Sequence, residues 1–200
     1  METIRGKTSL AMDIHGLNER LANYQRVVLD LGTGDGRYVK YLAGKNPGWF
    51  IIGLDACREN LDEHSRTKLP NALFVIASAQ DLPRELHGRV SHITINFPWG
   101  SLLESLLEGD TNLMHGLESI SSANASLHLH LNGGALAEIG AKLETGTEMI
   151  HHNLQSAGWL FDSPVQLGAP SLRGFPTTWA RRLAHGRDPR TMALRGIRME

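Results

Sequence analysis

Residues 27–36 read Val27-Val28-Leu29-Asp30-Leu31-Gly32-Thr33-Gly34-Asp35-Gly36, and they determine which fold the chain adopts. An apolar run leads directly into a loop with glycine at every second position. Such a loop turns sharply and lets a ligand approach the backbone without meeting Cβ atoms. The pattern is typical of the first strand, loop and helix of a nucleotide-binding α/β fold.

The charge of this loop indicates the kind of ligand that it binds. Dinucleotide folds place a pyrophosphate on the following helix, but Asp30 and Asp35 would repel one. S-adenosylmethionine carries a sulfonium and an ammonium group, so it suits an acidic loop better. We therefore expect this cofactor to contact Asp30, Gly32, Thr33, Gly34 and Asp35.

Two further strand ends complete the expected cofactor site. Asp55 ends an apolar run and lies 19 residues beyond Gly36, the length of one helix and one strand. A carboxylate there can accept both ribose hydroxyls. After the third strand, the adenine ring can meet a backbone N–H near Ala79 or Gln80, or the Gln80 amide. A plain surface turn is the alternative at that position.

Short apolar runs alternate with longer mixed segments, which is the pattern of repeated strand and helix units. Strands are predicted at residues 27–31, 50–54, 73–77, 91–96, 126–131, 159–165 and 192–198. Helices are predicted at residues 37–43, 58–69, 101–107, 112–120 and 144–157. These elements predict a Rossmann-like, class I S-adenosylmethionine-dependent methyltransferase fold, with a mostly parallel seven-stranded sheet and helices on both faces.

The predicted elements form a single domain, residues 1–200. Residues 1–22 are expected to be an N-terminal extension that forms a short hairpin or helix. Residues 23–165 are expected to be the cofactor-binding core. Residues 166–190 contain Gly, Pro and Ser without periodicity, and they are predicted to be an irregular substrate loop between the last two strands.

Composition excludes several classes of protein. The longest apolar run is far too short to cross a bilayer and no secretory leader is expected, so a membrane is not an expected partner. Cys57 is the single cysteine, which excludes a disulfide framework and a cysteine-based zinc site. His128 and His130 share one face of a predicted strand but lack a third ligand, so no metal is expected. We expect a cytoplasmic protein.

Basic residues are concentrated near the end of the sequence. Residues 1–172 contain 13 Lys and Arg against 19 Asp and Glu, whereas residues 173–200 contain seven Arg against Asp188 and Glu200. Arginine is suited to bidentate phosphate contacts. The asymmetry predicts a phosphate-binding face on an acidic body, and a solvated basic end is the alternative.

Two tryptophans lie where they can hold a nucleic-acid base. Trp99 and Asn96 follow the fourth strand, at the sheet edge where α/β folds bind ligands, and Asn96 joins the expected cofactor set. Trp99 can stack on a base pulled from its helix, although a lone Trp more often packs in a core. Trp179 can close over the same base from the long loop, while Arg181 and Arg182 hold phosphates.

Three stretches resemble one known family, the 16S rRNA adenine-N1 methyltransferases that confer aminoglycoside resistance by modifying the decoding-site adenine of helix 44. These stretches are residues 28–36, 98–103 and 178–183. The first is shared by many methyltransferases, and the other two, in this order, are much more specific. The resemblance implies that Trp99 and Trp179 sandwich the flipped adenine with help from Thr177. It implies rRNA contacts by Arg181, Arg182, Arg187 and Arg190.

The implied partner is 16S rRNA in the assembled 30S subunit, and a monomer is expected. Three other functions stay open from the residues alone. Asn96-Phe97-Pro98-Trp99 approximates the Asn/Asp-Pro-Pro-aromatic motif that methylates exocyclic amines, which favours N6 of an adenine in another RNA. The low basic content before residue 173 favours a homologue that binds cofactor or RNA without turnover. A small-molecule methyltransferase would leave the arginine-rich end without a role.

Overall fold

The computed structural model describes residues 1–186 and 189–199. Its strands in these residues are β1 (Glu2–Arg5), β2 (Thr8–Ala11), β3 (Arg26–Leu31), β4 (Trp49–Asp55), β5 (Ala72–Ile76), β6 (Val90–Asn96), β7 (Ser121–Asn132), β8 (Trp159–Phe161), β9 (Val165–Leu167) and β10 (Thr191–Arg198). Its helices are α1 (Ile14–Leu21), α2 (Arg37–Lys45), α3 (Arg58–Leu61), α4 (Gly100–Glu108), α5 (Thr111–Ile120), α6 (Gly133–Glu138), α7 (Leu143–Ser156), α8 (Ala169–Arg173) and α9 (Thr178–His185). Single 3-10 turns lie at His64–Arg66 and Arg84–Leu86.

The described strands form one ten-stranded sheet in the order β2-β1-β5-β4-β3-β6-β7-β10-β8, with β9 beside β10. The five central strands, β5, β4, β3, β6 and β7, are parallel. The pairings that involve β1, β2, β8, β9 and β10 are antiparallel. The predicted α/β class with a parallel centre is confirmed. The predicted count of seven strands was wrong, because both flanks add antiparallel strands.

Local sequence explains the additional strands. The strand predicted at residues 159–165 is divided into β8 and β9, because Pro164 has no N–H to donate to a ladder and Asp162-Ser163 favours a turn. At the other flank, β1 and β2 form a hairpin whose turn contains Gly6 at φ +59°. The hairpin is followed by α1, so the N-terminal residues contain both elements that the sequence left as alternatives.

Two predicted segments differ more strongly from the structure. The helix predicted at residues 58–69 ends at Leu61, and the residues after it include Asp, His, Ser and Thr, which are weak helix formers. Residues 166–190 are not irregular as predicted, since they contain α8 and α9. Thr177 caps α9 by accepting a hydrogen bond from the Ala180 N–H at 3.0 Å. The helix spans eight residues, fewer than the roughly 11–18 over which helical periodicity is read, which is why the pattern missed it.

The core lies on both faces of the sheet. Leu29 and Leu31 of β3 pack in a large cluster with side chains of α4, α5 and α7, whereas Val28 packs in a second cluster with α2 and α3. This alternation follows from the two-residue period of a strand. A third, small cluster joins the loop after β6 to α8 and α9. The carboxyl ends of the central strands are left open between these layers.

Within the described residues, no helix has the length and apolar character that a bilayer span requires. The same residues hold no group of three His, Cys, Asp or Glu side chains suited to bind a metal ion. His128 instead packs edge-on against His92, with ring centroids 4.5 Å apart.

Candidate active site

A cavity of about 500 Å³ lies at the carboxyl ends of β3, β4, β5 and β6. Its volume is in the range that small-molecule and cofactor sites occupy. The structure brings every residue predicted for the cofactor and the base to its lining. These residues are Asp30, Gly32, Thr33, Gly34, Asp35, Asp55, Ala79, Gln80, Asn96, Trp99, Thr177 and Trp179.

The glycines of the loop after β3 serve two different needs. All three have positive φ, at +68° for Gly32, +58° for Gly34 and +72° for Gly36. A Cβ on Gly36 would lie 2.4 Å from the Phe74 ring, so this glycine permits close packing. A Cβ on Gly34 would meet nothing within 4 Å. Gly34 is half-buried, and the open space beside its Cα therefore gives a ligand room to approach the loop.

Asp30 is a buried carboxylate surrounded by donors. It accepts hydrogen bonds from the hydroxyls of Thr33 at 2.6 Å and Thr94 at 2.7 Å, and from the Asn96 amide at 2.9 Å. Burial raises the pKa of Asp30 to about 6, although these three hydrogen bonds act in the opposite direction. The carboxylate is an anion at neutral pH in a weakly polar setting, where a cationic ligand would stabilise it strongly.

Asn96 connects Asp30 to a histidine that the sequence analysis did not assign to this site. Its Nδ2 donates to Asp30, and its Oδ1 lies 2.9 Å from Nδ1 of His130. Burial, reinforced by positive charge on His128 and Arg195, lowers the pKa of His130 to about 4. The ring is therefore neutral, and its Nδ1–H donates to Asn96 because that amide oxygen can only accept. Both ends of the Asn96 side chain are occupied.

Asp55 is held in place by backbone donors. Its Oδ2 accepts from the Gly34 N–H at 2.8 Å, and its Oδ1 accepts from the Cys57 N–H at 2.9 Å. Oδ1 also accepts from the Asn60 amide at 3.2 Å, so Oδ2 is the oxygen that keeps a lone pair for a further donor. A ribose hydroxyl can donate to Oδ2, and a second hydroxyl can take the place of Asn60 at Oδ1.

Asp35 makes a contact that no local sequence pattern signals. Its Oδ1 accepts from the Arg37 N–H at 3.1 Å, near the start of α2. Its Oδ2 accepts from the Thr178 hydroxyl at 2.7 Å, across 143 residues of sequence. The loop predicted to hold the cofactor is thus hydrogen-bonded to the first residue of α9.

The Gln80 side chain is already engaged by α4. Its Nε2 donates to the Ser105 hydroxyl at 2.7 Å and to the Ser101 carbonyl oxygen at 3.3 Å. Of the contacts that the sequence allowed for an adenine ring, the structure therefore favours the backbone around Ala79 and Gln80. Both residues line the cavity.

Trp99 and Trp179 stack on one another at the rim of the cavity. Their ring centroids lie 5.0 Å apart and their planes are inclined by 28°. Trp179 is 39% exposed, and Trp99 is half-buried, so neither ring is sequestered in the core. A base between them would need a separation of about 7 Å, which is two van der Waals contacts. The structure therefore presents the pair in a closed arrangement.

A small apolar cluster holds this region in place. Phe97 is buried at φ +56°, a conformation that costs energy for a residue with a Cβ, and it packs against Leu172 and Ala180. Phe175 packs edge-on against Phe97 with centroids 5.7 Å apart and stacks on Tyr38 at 5.6 Å. These aromatic contacts were not predicted, because they join distant segments of the chain.

The arginines predicted to contact rRNA differ in their distance from the cavity. Arg182 lines the cavity, and its Cζ lies 5.1 Å from the centre of the Trp179 ring. Arg181 and Arg190 are exposed and do not line the cavity. Arg187 lies outside the described residues. Of the three described residues, the structure therefore brings one to the tryptophan pair.

The glycine loop after β3, the acid that ends β4 and the cavity between them define a class I methyltransferase. The family model for NpmA, described as 16S rRNA (adenine(1408)-N(1))-methyltransferase, matches residues 2–198. The chain belongs to this family.

Relatives of the same name are similar along nearly their whole length. Enzymes named 16S rRNA (adenine(1408)-N(1))-methyltransferase from Escherichia coli and Streptoalloteichus hindustanus are each 30% identical to this chain, and each alignment covers 94% of both proteins. The crystal structure of the 16S rRNA methyltransferase KamB superimposes with a TM-score of 0.89 at 29% identity, over 100% of each chain.

Proposed function

We propose that this protein transfers a methyl group from S-adenosylmethionine to N1 of adenine 1408 in the decoding site of 16S rRNA, and so confers aminoglycoside resistance. The observation that carries this proposal is the Trp99–Trp179 stack at the rim of an acidic, nucleoside-sized cavity. Two aromatic faces meeting beside a methyl-donor site suit a base that has been flipped from its helix.

The residues of the cavity fit the cofactor. Asp55 would hold the ribose, the backbone near Ala79 and Gln80 would meet the adenine, and Gly34 would leave the loop open to the ligand. Asp30 would face the positive charge, since a buried anion with a raised pKa gains most from a cation. The pyrophosphate of a dinucleotide is an anion, so it would leave the Asp30 carboxylate uncompensated and repel it.

The reaction needs little chemistry from the protein. The cofactor supplies an electrophilic methyl carbon on a cationic sulfur. Adenine N1 attacks with its in-plane lone pair, so that the N1–C bond forms as the C–S bond breaks and the positive charge moves to the base. N1 loses no proton, so the step requires orientation rather than a general base. Trp99 and Trp179 provide that orientation, and aromatic faces also stabilise a cationic base.

Methylation of an exocyclic amine is disfavoured by the geometry around Asn96. Phe97 occupies φ +56°, which proline cannot adopt because its ring fixes φ near −65°. The loop therefore differs in backbone shape from an Asn-Pro-Pro-aromatic motif.

The assembled 30S subunit is the proposed form of the substrate, and it implies a cytoplasmic enzyme. Arg181 and Arg182 are exposed beside Trp179, where they would meet phosphates flanking the flipped base. Arg190 and Arg187 would extend this contact. We propose that the enzyme acts as a monomer.

The test is methyl transfer to purified 30S subunits. The protein is incubated with methyl-labelled S-adenosylmethionine and either 30S subunits or free 16S rRNA, and the RNA is digested to nucleosides for mass spectrometry. We expect label in N1-methyladenosine, with 30S subunits as the better substrate. Label in N6-methyladenosine would overturn the assignment to N1, and absence of label from both RNAs would overturn the function.

A further inference from the structure

We propose that Thr178 is a positioning residue that couples the cofactor site to the tryptophan pair. Its hydroxyl donates to Asp35 Oδ2 at 2.7 Å, and Trp179 is the next residue in the chain. Asp35 belongs to the glycine loop, which lines the cavity. The inference rests on the proposed function, because it assigns Thr178 a part in bringing methyl donor and base together.

The hydroxyls of Thr177 and Thr178 bind different partners. Thr177 is the N-cap of α9 and accepts from the Ala180 N–H within its own helix. The Thr178 hydroxyl leaves the helix and reaches the cofactor loop. Loss of the first would loosen the helix itself, whereas loss of the second would leave the helix capped but detached from the loop. The two roles can therefore be separated by mutation.

A second contact connects the same two elements. The ring of Phe175, just before α9, stacks on Tyr38 in the first turn of α2, with planes inclined by only 5°. Asp35 and Tyr38 both flank the start of α2. The α8–α9 segment is therefore attached at two points to the helix that begins at the glycine loop.

This attachment has a thermodynamic consequence. The tryptophan rings must separate from 5.0 Å to about 7 Å to admit a base. The hydrogen bond at Thr178 fixes the backbone beside Trp179. The indole ring of Trp179 can therefore move while its Cα stays in place. A cofactor that orders the glycine loop orders Asp35, and through it the start of α9. By linkage, a bound base must then strengthen cofactor binding by the same factor.

The experiment compares Thr178→Val, which keeps the shape and removes the hydroxyl, with Thr178→Ser, which keeps the hydroxyl. Thr145→Val is the matched control, since Thr145 is exposed on α7 and does not line the cavity. For each protein, the affinity for 30S subunits is measured with and without S-adenosylhomocysteine. Affinity for S-adenosylhomocysteine alone, kcat, KM and the thermal midpoint complete the set.

For the unaltered protein and Thr145→Val, we expect S-adenosylhomocysteine to tighten 30S binding about fivefold or more. In Thr178→Val this factor falls to about one and kcat falls about tenfold, as for the loss of one hydrogen bond to a charged group. Thr178→Ser restores both, and the thermal midpoint is unchanged throughout. Normal coupling in Thr178→Val, equal impairment of the Ser variant, or no coupling in the unaltered protein would each overturn the proposal.

Hydrogen exchange separates this inference from the proposed function, because it needs no RNA. S-adenosylhomocysteine should slow amide exchange in residues 178–185 of the unaltered protein and have a smaller effect in Thr178→Val. Equal protection in both proteins would overturn the role of Thr178 even if 16S rRNA is methylated. Unequal protection would support it even if another RNA proves to be the substrate.

Discussion

A buried carboxylate destabilises a protein unless donors or a cation compensate it, and Asp30 is the clearest case here. Three side chains donate to it, yet burial still raises its pKa to about 6. The compensation by the protein is therefore incomplete, and a cationic ligand would complete it. The ionisation of one side chain should then control how tightly the cofactor binds.

Cofactor affinity should depend on pH through Asp30. A pKa of about 6 means that the carboxyl is protonated as the pH falls from about 7 to about 5, and the attraction for a cation is then lost. We expect S-adenosylmethionine to bind more weakly below pH 6 in calorimetric titrations. His92 and His130 have pKa values lowered to about 4 by burial, so they stay neutral in most of this window. Asp30→Asn should remove the pH dependence. Constant affinity of the unaltered protein between pH 5 and 8 would refute the control of cofactor binding by Asp30.

Asp55→Ala should weaken cofactor binding by about 10- to 100-fold, because it removes hydrogen bonds to a charged acceptor. The substitution also leaves the Gly34 N–H without the carboxylate to which it donates. Calorimetry with S-adenosylhomocysteine measures the change. Asp62→Ala is the control, since Asp62 pairs with Arg66 at 3.7 Å and does not line the cavity. Equal affinities of the two variants would argue against a cofactor role for Asp55.

Trp179→Ala should lower the methylation rate by up to about two orders of magnitude while cofactor affinity changes little. Stacking on one aromatic side chain contributes about 1–3 kcal/mol per base, which corresponds to about 5- to 150-fold in rate. Trp179→Phe keeps a flat aromatic face and should retain most of the activity. Methylation rates on 30S subunits give the comparison, and full activity of Trp179→Ala would rule out the base sandwich.

The α8–α9 segment buries fewer side chains than the central strands do. Its buried contacts form a cluster of Phe97, Leu172 and Ala180, whereas the central strands bury side chains on both faces. Segments with few buried contacts open at low free energy, and mobile functional elements are drawn from them. This balance suits a helix that must let two stacked rings separate and still return Trp179 to the same place.

Phe175→Ala should loosen this segment without unfolding the protein. The substitution removes the stack on Tyr38 and the edge contact with Phe97. We expect amide exchange in residues 169–185 to accelerate about tenfold, with the thermal midpoint of the main core nearly unchanged. Tyr41→Ala is the control, because Tyr41 is 44% exposed on α2. Unaltered exchange in the Phe175 variant would show that the cluster does not anchor α8 and α9.

Elements with a strong local signal were predictable from the sequence. The apolar runs that became β3 to β7, the glycine loop and the acid after β4 all carry their pattern within a few residues. The Asp35–Thr178 and Asn96–His130 contacts join residues 143 and 34 positions apart, so no local sequence pattern predicts them. The helix α9 is too short, at eight residues, for periodicity over a window of roughly 11–18 residues to detect it. The division between β8 and β9 depends on Pro164, a single residue.

For the entire protein, the sheet order explains how distant residues share one site. β6 lies beside β3, so the ends of both strands meet although about 60 residues separate them, and the crossover creates the crevice that open α/β sheets use for ligands. The antiparallel partner β10 then returns the chain from α9 to the sheet beside β7. That return brings Trp179 over Trp99.

The decisive measurement is primer extension on 16S rRNA from cells that express this protein. Methylation at N1 blocks Watson–Crick pairing, so reverse transcriptase should stop at adenine 1408, and the stop should weaken with Trp179→Ala. Survival on aminoglycosides should follow the same pattern. Full extension through the decoding site in cells that contain the folded, unaltered protein would contradict methylation of that adenine by the tryptophan pair.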